Sequence, residues 1–248
     1  MIVEVVVYNI ASALNAQAGG ADRIELCDNP GEGGTTPSAG TIEVVRKNLS
    51  IDVYVMIRPR GGDFLYSRYE FHAMKRDIAM AQRLSADGVV LGILKPDGTV
   101  DVERCKELIS AARPLKVTCH RAFDMTRDPF EALEACIEAG FDRILTSGGH
   151  ATASEGIETI GELVRRAQGR IAIMPGSGVN ENTVAAVVRG TGATEIHFSA
   201  AASEASGMAY RNEKIAGMGD DRGREFMLRT VDPNRVREIR RIATEASR

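Results

Sequence analysis

No stretch of the chain approaches ~18 uncharged apolar residues, so nothing in it reads as a membrane span. A secretory signal is missing too: Ile2-Val3-Glu4-Val5 is a strand pattern carrying an acid, without a basic segment followed by an apolar one. No run of Lys and Arg stands out. With 31 basic against 34 acidic residues the formal net charge is -3, which argues against the basic face of a nucleic-acid or anionic-membrane binder. Arg235, Arg237, Arg240 and Arg241 recur at helical spacing and read as a solvated helix face. The 4 cysteines (Cys27, Cys105, Cys119, Cys136) are far apart and form no Cys-x-x-Cys pair. They read as reduced thiols of a cytoplasmic protein. His-x-His and His-Glu-x-x-His patterns are absent as well.

What is present is an alternation. Apolar strands are expected at 2–7, 23–27, 53–58, 88–92, 115–120, 142–146, 171–174 and 194–198, with helical stretches between them. Asp128-Pro129-Phe130-Glu131 places an N-cap, a first-turn proline and an acid. Ser67-Arg68-Tyr69-Glu70 and Thr152-Ala153-Ser154-Glu155 read as capping boxes, and Thr36-Pro37 and Asp232-Pro233 as two further helix starts. A repeat sharpens the pattern: Gly20-Ala21-Asp22-Arg23-Ile24-Glu25, Ala86-Asp87-Gly88-Val89-Val90, Gly140-Phe141-Asp142-Arg143-Ile144-Leu145 and Gly192-Ala193-Thr194-Glu195-Ile196 share one shape. They precede the second, fourth, sixth and eighth strands, so a βαβα unit is used four times. That predicts a single-domain (β/α)8 barrel over residues 1–248, a fold that needs about 250 residues. An open doubly wound sheet fits less well, since Val6-Val7-Tyr8-Asn9 is not a Gly-rich turn. Residues 199–231 break the rhythm and read as a long loop at the catalytic face, a lid or an interface element.

Strand alternation sorts side chains into outward and inward sets. Glu4, Val6 and Tyr8 point in from the first strand, and Glu25 and Cys27 from the second. Tyr54, Met56 and Arg58 follow from the third, His120 from the fifth, and Glu195, His197 and Ser199 from the eighth. Barrel interiors are normally layers of Val, Ile and Leu, and buried charge is costly unless paired or held for a ligand. Glu4 and Glu195 lie deep and suit an internal ion network. Glu25, Arg58 and His120 stand at strand ends, where barrels keep their chemistry. His120 is read as a proton shuttle oriented by Asp124, with Glu25 as a second acid–base group. Arg58 and Arg60, set at the rim together with Gly61 and Gly62, suit a carboxylate or phosphate. Gly176-Ser177-Gly178 and Ser199 supply the other wall of an anion pocket. For a soft ion such as Cu(I), Cys27 is the thiol placed at a strand end and pointing inward. Cys119 turns toward the helices, and Cys105, Cys136, Met56 and Met174 read as core.

Taken together, Gly19-Gly20-Ala21-Asp22-Arg23-Ile24-Glu25-Leu26-Cys27, Glu32-Gly33-Gly34-Thr35-Thr36-Pro37-Ser38, Ile57-Arg58-Pro59-Arg60-Gly61-Gly62-Asp63-Phe64, His120-Arg121-Ala122-Phe123-Asp124, Ile144-Leu145-Thr146-Ser147-Gly148, Met174-Pro175-Gly176-Ser177-Gly178-Val179-Asn180 and Tyr210-Arg211-Asn212 resemble the bacterial CutC copper homeostasis family over nearly the whole chain. The resemblance implies a TIM barrel, a cytoplasmic location, a role in copper handling and an oligomer, most simply a homodimer. The family's proposed copper ligands are two cysteines near the tops of strands one and two. The second matches Cys27, and the first falls on Val6, which cannot ligate a metal. Three functions stay open: a copper protein using Cys27, an enzyme acting on a small anionic or phosphorylated metabolite, and an interaction scaffold.

Overall fold

The computed structural model describes residues 1–212, 214 and 225–248. The alternation is present as β1 (Ile2–Val7), α1 (Ile10–Ala18), β2 (Arg23–Leu26), α2 (Ala39–Asn48), β3 (Asp52–Met56), α3 (Arg68–Arg83), β4 (Gly88–Leu91) and α4 (Val102–Ala112). It continues through β5 (Lys116–Cys119), α5 (Pro129–Ala139), β6 (Arg143–Thr146), α6 (Ile157–Ala167), β7 (Ala172–Pro175), α7 (Val184–Thr191) and β8 (Glu195–Phe198). A hairpin of β9 (Ala201–Ala205) and β10 (Met227–Val231) then leads into α8 (Pro233–Ala246). The first eight strands form one parallel sheet in the order β7-β6-β5-β4-β3-β2-β1-β8. β7 and β8 stand side by side at the remaining seam, so the sheet is a nearly closed (β/α)8 barrel. Parallel strands need helical crossovers and are buried on both faces. Accordingly Val3, Val5, Val7, Ile24, Leu26 and their counterparts are fully buried beneath the helices.

The repeat has a structural cause. The carboxylate of Asp22 accepts the backbone N–H of Val3 at 2.9 Å, Asp87 that of Val53 at 2.8 Å and Asp142 that of Val117 at 2.9 Å. Each aspartate sits just before an even strand and grips the start of the preceding odd strand, satisfying a donor that the ladder leaves open.

Capping is partly as expected. Ser67 and Glu70 form a capping box, and Asp128 accepts from Phe130 and Glu131 ahead of Pro129. Two starts lie elsewhere. Thr36 is not a cap, because its N–H and hydroxyl bind the carbonyl and N–H of Arg58, both at 2.9 Å; Ser38 caps α2 instead. Thr152 and Glu155 bond to each other in a turn, but α6 begins only at Ile157.

The strands also stop earlier than expected, at Leu26, Met56, Leu91 and Cys119. Cys27, Arg58 and His120 therefore lie on the rim just beyond the ladder. The segment 199–231 is a loop only in part, since it opens and closes in the antiparallel pair β9–β10, with Ala201 opposite Val231. Residues 213 and 215–224 of that segment lie outside the described residues. Among the described residues no helix is long and apolar enough to cross a membrane.

Candidate functional site

The lower half of the axis is filled by charge. Arg23 bonds Glu4 through Nε and Glu195 through an Nη at 2.6 Å. Arg143 reaches the same Glu195 through Nε and, at 2.9 Å, through an Nη, and donates to Thr118 Oγ1 at 3.2 Å. Both guanidinium groups lie over the Tyr54 ring, 4.8 and 5.5 Å from its centre. Each carboxylate thus meets a cation that is itself desolvated, which is the condition under which buried charge is tolerated. Glu4 and Glu195 were expected in such a network. Arg23 and Arg143 were not singled out, although they occupy matching positions in two copies of the repeat.

Above this plug lies a second, less balanced layer. His197 Nδ1 is 2.8 Å from Glu4 Oε1, and its Nε2 faces Glu25 Oε2 at 3.9 Å. The Cys27 thiol donates to the same Glu25 oxygen at 3.6 Å, and Glu25 Oε1 is buried without a partner. Burial opposes the charge on Glu4, but Arg23 and His197 outweigh it and hold this carboxyl down at about 2. For Glu25 burial wins: with Glu4 adding, it raises the carboxyl to about 7 against the pull of His197, Cys27 and Arg23. Burial also works against a proton on His197, yet Glu25 and Glu4 keep its imidazole above the ordinary value. The Cys27 thiol is pushed well up by burial and by Glu25.

Of these groups Glu25 and His197 floor a cavity of about 430 Å³ at the C-terminal rim, the usual place for chemistry in this fold. Of the expected site residues, Glu25, Arg58, His120, Ser177, Gly178 and Ser199 line it. Tyr8, His197 and Arg235 line it too and were not among the expected set.

Four expected residues do not. Cys27 sits behind the wall, packed with Tyr54, Met56 and Val90. Arg60 turns outward, where Glu70 and Asp63 hold it at 2.6 and 2.9 Å. Gly176 spends its N–H on the Thr146 carbonyl, and a Cβ there would lie 2.4 Å from Leu145 Cδ1, so it is a packing glycine. Asp124 does not orient His120; its oxygens take Thr146 Oγ1, the N–H groups of Ser147 and Gly149, and Arg121 Nε.

His120 also differs from the expected shuttle. Its Nδ1 accepts the Ala122 N–H at 3.2 Å, which leaves Nε2 as the protonated, unpartnered nitrogen. Burial, with Arg58 adding, holds the imidazole down at about 3, so it is a neutral donor at physiological pH. Between about 3 and 6.5 the unfolded chain takes up a proton that the folded one refuses. Stability therefore falls as the pH falls through that window. The expected loss from this residue is about 2 kcal/mol between pH 7 and 5. Urea titrations of the wild type and His120→Asn at both pH values measure it, and equal losses in the two proteins would disprove it. Arg58 is a staple as well as a wall: it donates to the carbonyls of Glu32 at 2.6 Å, Gly34 at 2.9 Å and Gly62 at 2.7 Å, while its buried Nε has no partner.

Fold and rim together define a (β/α)8-barrel protein with a polar pocket at the C-terminal ends of its strands. The chain belongs to the CutC family, whose model matches residues 1–202. The human protein named copper homeostasis protein cutC homolog is 48% identical over 242 residues, covering 98% of this chain and 89% of that one. A CutC family protein of Parabacteroides distasonis is 49% identical over 237 residues, 95% of this chain and 98% of its own. The solved structure of CutC from Streptococcus agalactiae superposes with a TM-score of 0.77 at 35% identity, covering 80% of this chain and 98% of that one.

Proposed function

We propose that this protein serves copper homeostasis in the cytoplasm, most simply as a homodimer, and that its working part is the rim pocket. The copper role is supported by family membership and by the name of the human and mouse relatives. The donor set does not fit a Cu(I) store. Cu(I) favours thiolates and thioethers, whereas Cys27 is a protonated, buried thiol with Val6 where a second cysteine would stand. The other three thiols are buried in the outer core. In an anaerobic competition against a Cu(I) chelator, Cys27→Ser is expected to match the wild type, both binding weakly. Tight stoichiometric binding that the substitution abolishes would establish Cys27 as a copper ligand and sink this part of the reading.

A second reading concerns what the pocket does, and one observation carries it. Glu25 Oε1, Arg58 Nε and His120 Nε2 are three buried polar atoms without partners, and all belong to residues lining one cavity. Buried polar groups are normally satisfied, so three orphans around one space are partners held for a ligand. Their chemistry, one acceptor and two donors, suits a small anionic molecule bearing an exchangeable proton. Glu25, titrating near neutrality, accepts that proton from the ligand and returns it elsewhere on the same molecule, so the carboxyl ends the cycle as it began. A screen of small anions by thermal shift on wild type and Arg58→Met tests it. Stabilisation that depends on Arg58 supports the pocket, and its absence for every anion counts against it.

A further inference from the structure

We infer that the turns after β7 and β8 form a phosphate subsite, and that the ligand of the rim pocket is a phosphomonoester of a short hydroxylated carbon chain. The inference rests on the reading of the pocket as a small-anion site and gives it a substrate class.

The donors are main-chain. Among the described residues, the N–H groups of Ser177, Gly178, Val179 and Ser199 have no acceptor, although the carbonyls of Ser177 and Gly178 are both taken, by Ala153 and by Thr183. Successive N–H groups turned to one side by a tight turn make an anion-binding concavity. The backbone is bent for it: Ser177 and Gly178 hold φ of 75° and 70°, and Ala200, next to Ser199, holds 42°. Serine and alanine adopt this region rarely, and such residues persist where surrounding structure holds them for a purpose. Ser177 is held by its hydroxyl, which donates to the Ala151 carbonyl at 2.8 Å. Thr152 backs Gly178 so closely that a Cβ there would stand 2.9 Å from Thr152 Cγ2.

The register explains why the two turns act together. β7 and β8 flank the seam of the sheet, so the turns above them face each other without a ladder to consume their N–H groups. Arg235 of α8 lies against the same cavity, paired with Glu181 at 2.7 and 3.0 Å, and brings a cation to this end of it. No carboxylate other than Glu25, on the floor, is among the residues lining the cavity. Three successive main-chain donors, with a fourth from the turn after β8, suit the three terminal oxygens of a phosphate. The side-chain orphans Glu25 Oε1, Arg58 Nε and His120 Nε2 belong to residues lining the same cavity, where a hydroxylated chain would meet one acceptor and two donors. A cavity of about 430 Å³ suits a molecule of this size rather than a nucleotide-bearing one.

The test uses inorganic phosphate as the probe. Titrated into ¹⁵N-labelled protein, it is expected to move the amide resonances of Ser177, Gly178, Val179 and Ser199 along a single saturating curve. Ser199→Asp sets a carboxylate against the donors and is expected to weaken phosphate by about tenfold or more. The uncharged Ser199→Asn keeps the main-chain donors and is expected to bind within about threefold of wild type. Thermal melts confirm that both variants fold. Malonate is run in parallel, with Arg58→Met as its partner variant. Phosphate binding that shifts other amides, or that Ser199→Asp leaves unchanged, overturns the phosphate subsite. If malonate binds in an Arg58-dependent way and phosphate does not bind, the subsite falls and the anion pocket stands. If neither binds, both fall.

Discussion

Replacing Arg23 by methionine is expected to lower the free energy of unfolding by about 3–5 kcal/mol, the cost of stranding buried charge. Arg23 is 3% exposed and is shared by Glu4 and Glu195. Without it Glu195 keeps Arg143, but Glu4, fully buried, keeps only the imidazole of His197. The methionine fills the volume of the stem, so the loss reports charge rather than a cavity. Urea unfolding measures it, as a shift of the midpoint at unchanged slope. Removing Glu4 and Arg23 together, as Glu4→Gln with Arg23→Met, should recover part of the loss, because the stranded carboxylate goes as well. A single-variant loss below about 1 kcal/mol would mean that the pairs behave like surface salt bridges and that the plug is not what holds the axis.

The second large effect separates function from stability. Glu25→Gln removes the one carboxyl that titrates near neutrality in the pocket. Turnover of a proton-transfer substrate is expected to fall by roughly 10²- to 10⁴-fold. Stability should move the other way. A carboxyl held at about 7 in the folded protein, against about 4.5 unfolded, makes the folded state the stronger proton binder in between. Wild-type stability therefore declines as pH rises through that window, and Glu25→Gln does not share the decline. The difference between the two proteins should grow in favour of the variant by roughly 2–3 kcal/mol from pH 5 to pH 8. Parallel stability curves would show that Glu25 is ionised like any surface acid, and the case for it as the proton carrier would go with them.

Much of the architecture was legible because barrel building is local. Alternating strands and helices, the Asp-led repeat and caps such as Ser67 and Asp128 each act within a few residues, so the pattern survives in one dimension. The inward positions of Glu4, Glu25, Arg58, Glu195 and His197 were legible for the same reason, since alternation along a strand is a short-range rule. What failed was long-range. Arg60 and Asp124 lie in the right loops but are consumed by Glu70, Thr146 and Ser147, which nothing near them in sequence marks, and Arg60 also by the neighbouring Asp63. His120 has the right position, yet the burial that strips its proton comes from the surrounding fold, Phe64 and Arg58 included. Arg23 and Arg143 were visible as a matched pair. Their meeting at Glu195 needs the closed ring.

The charged plug also sets the traffic of the pocket. With Glu4, Arg23, Arg143 and Glu195 wedged across the axis, the rim cavity is, among the described residues, a blind well closed toward the N-terminal end of the barrel. Whatever enters must back out past the same loops, so under the proposed proton-transfer reading a product would compete directly with the next molecule for the mouth. Long polymers have nowhere to thread; the chain is suited to compounds that can turn round at the threshold.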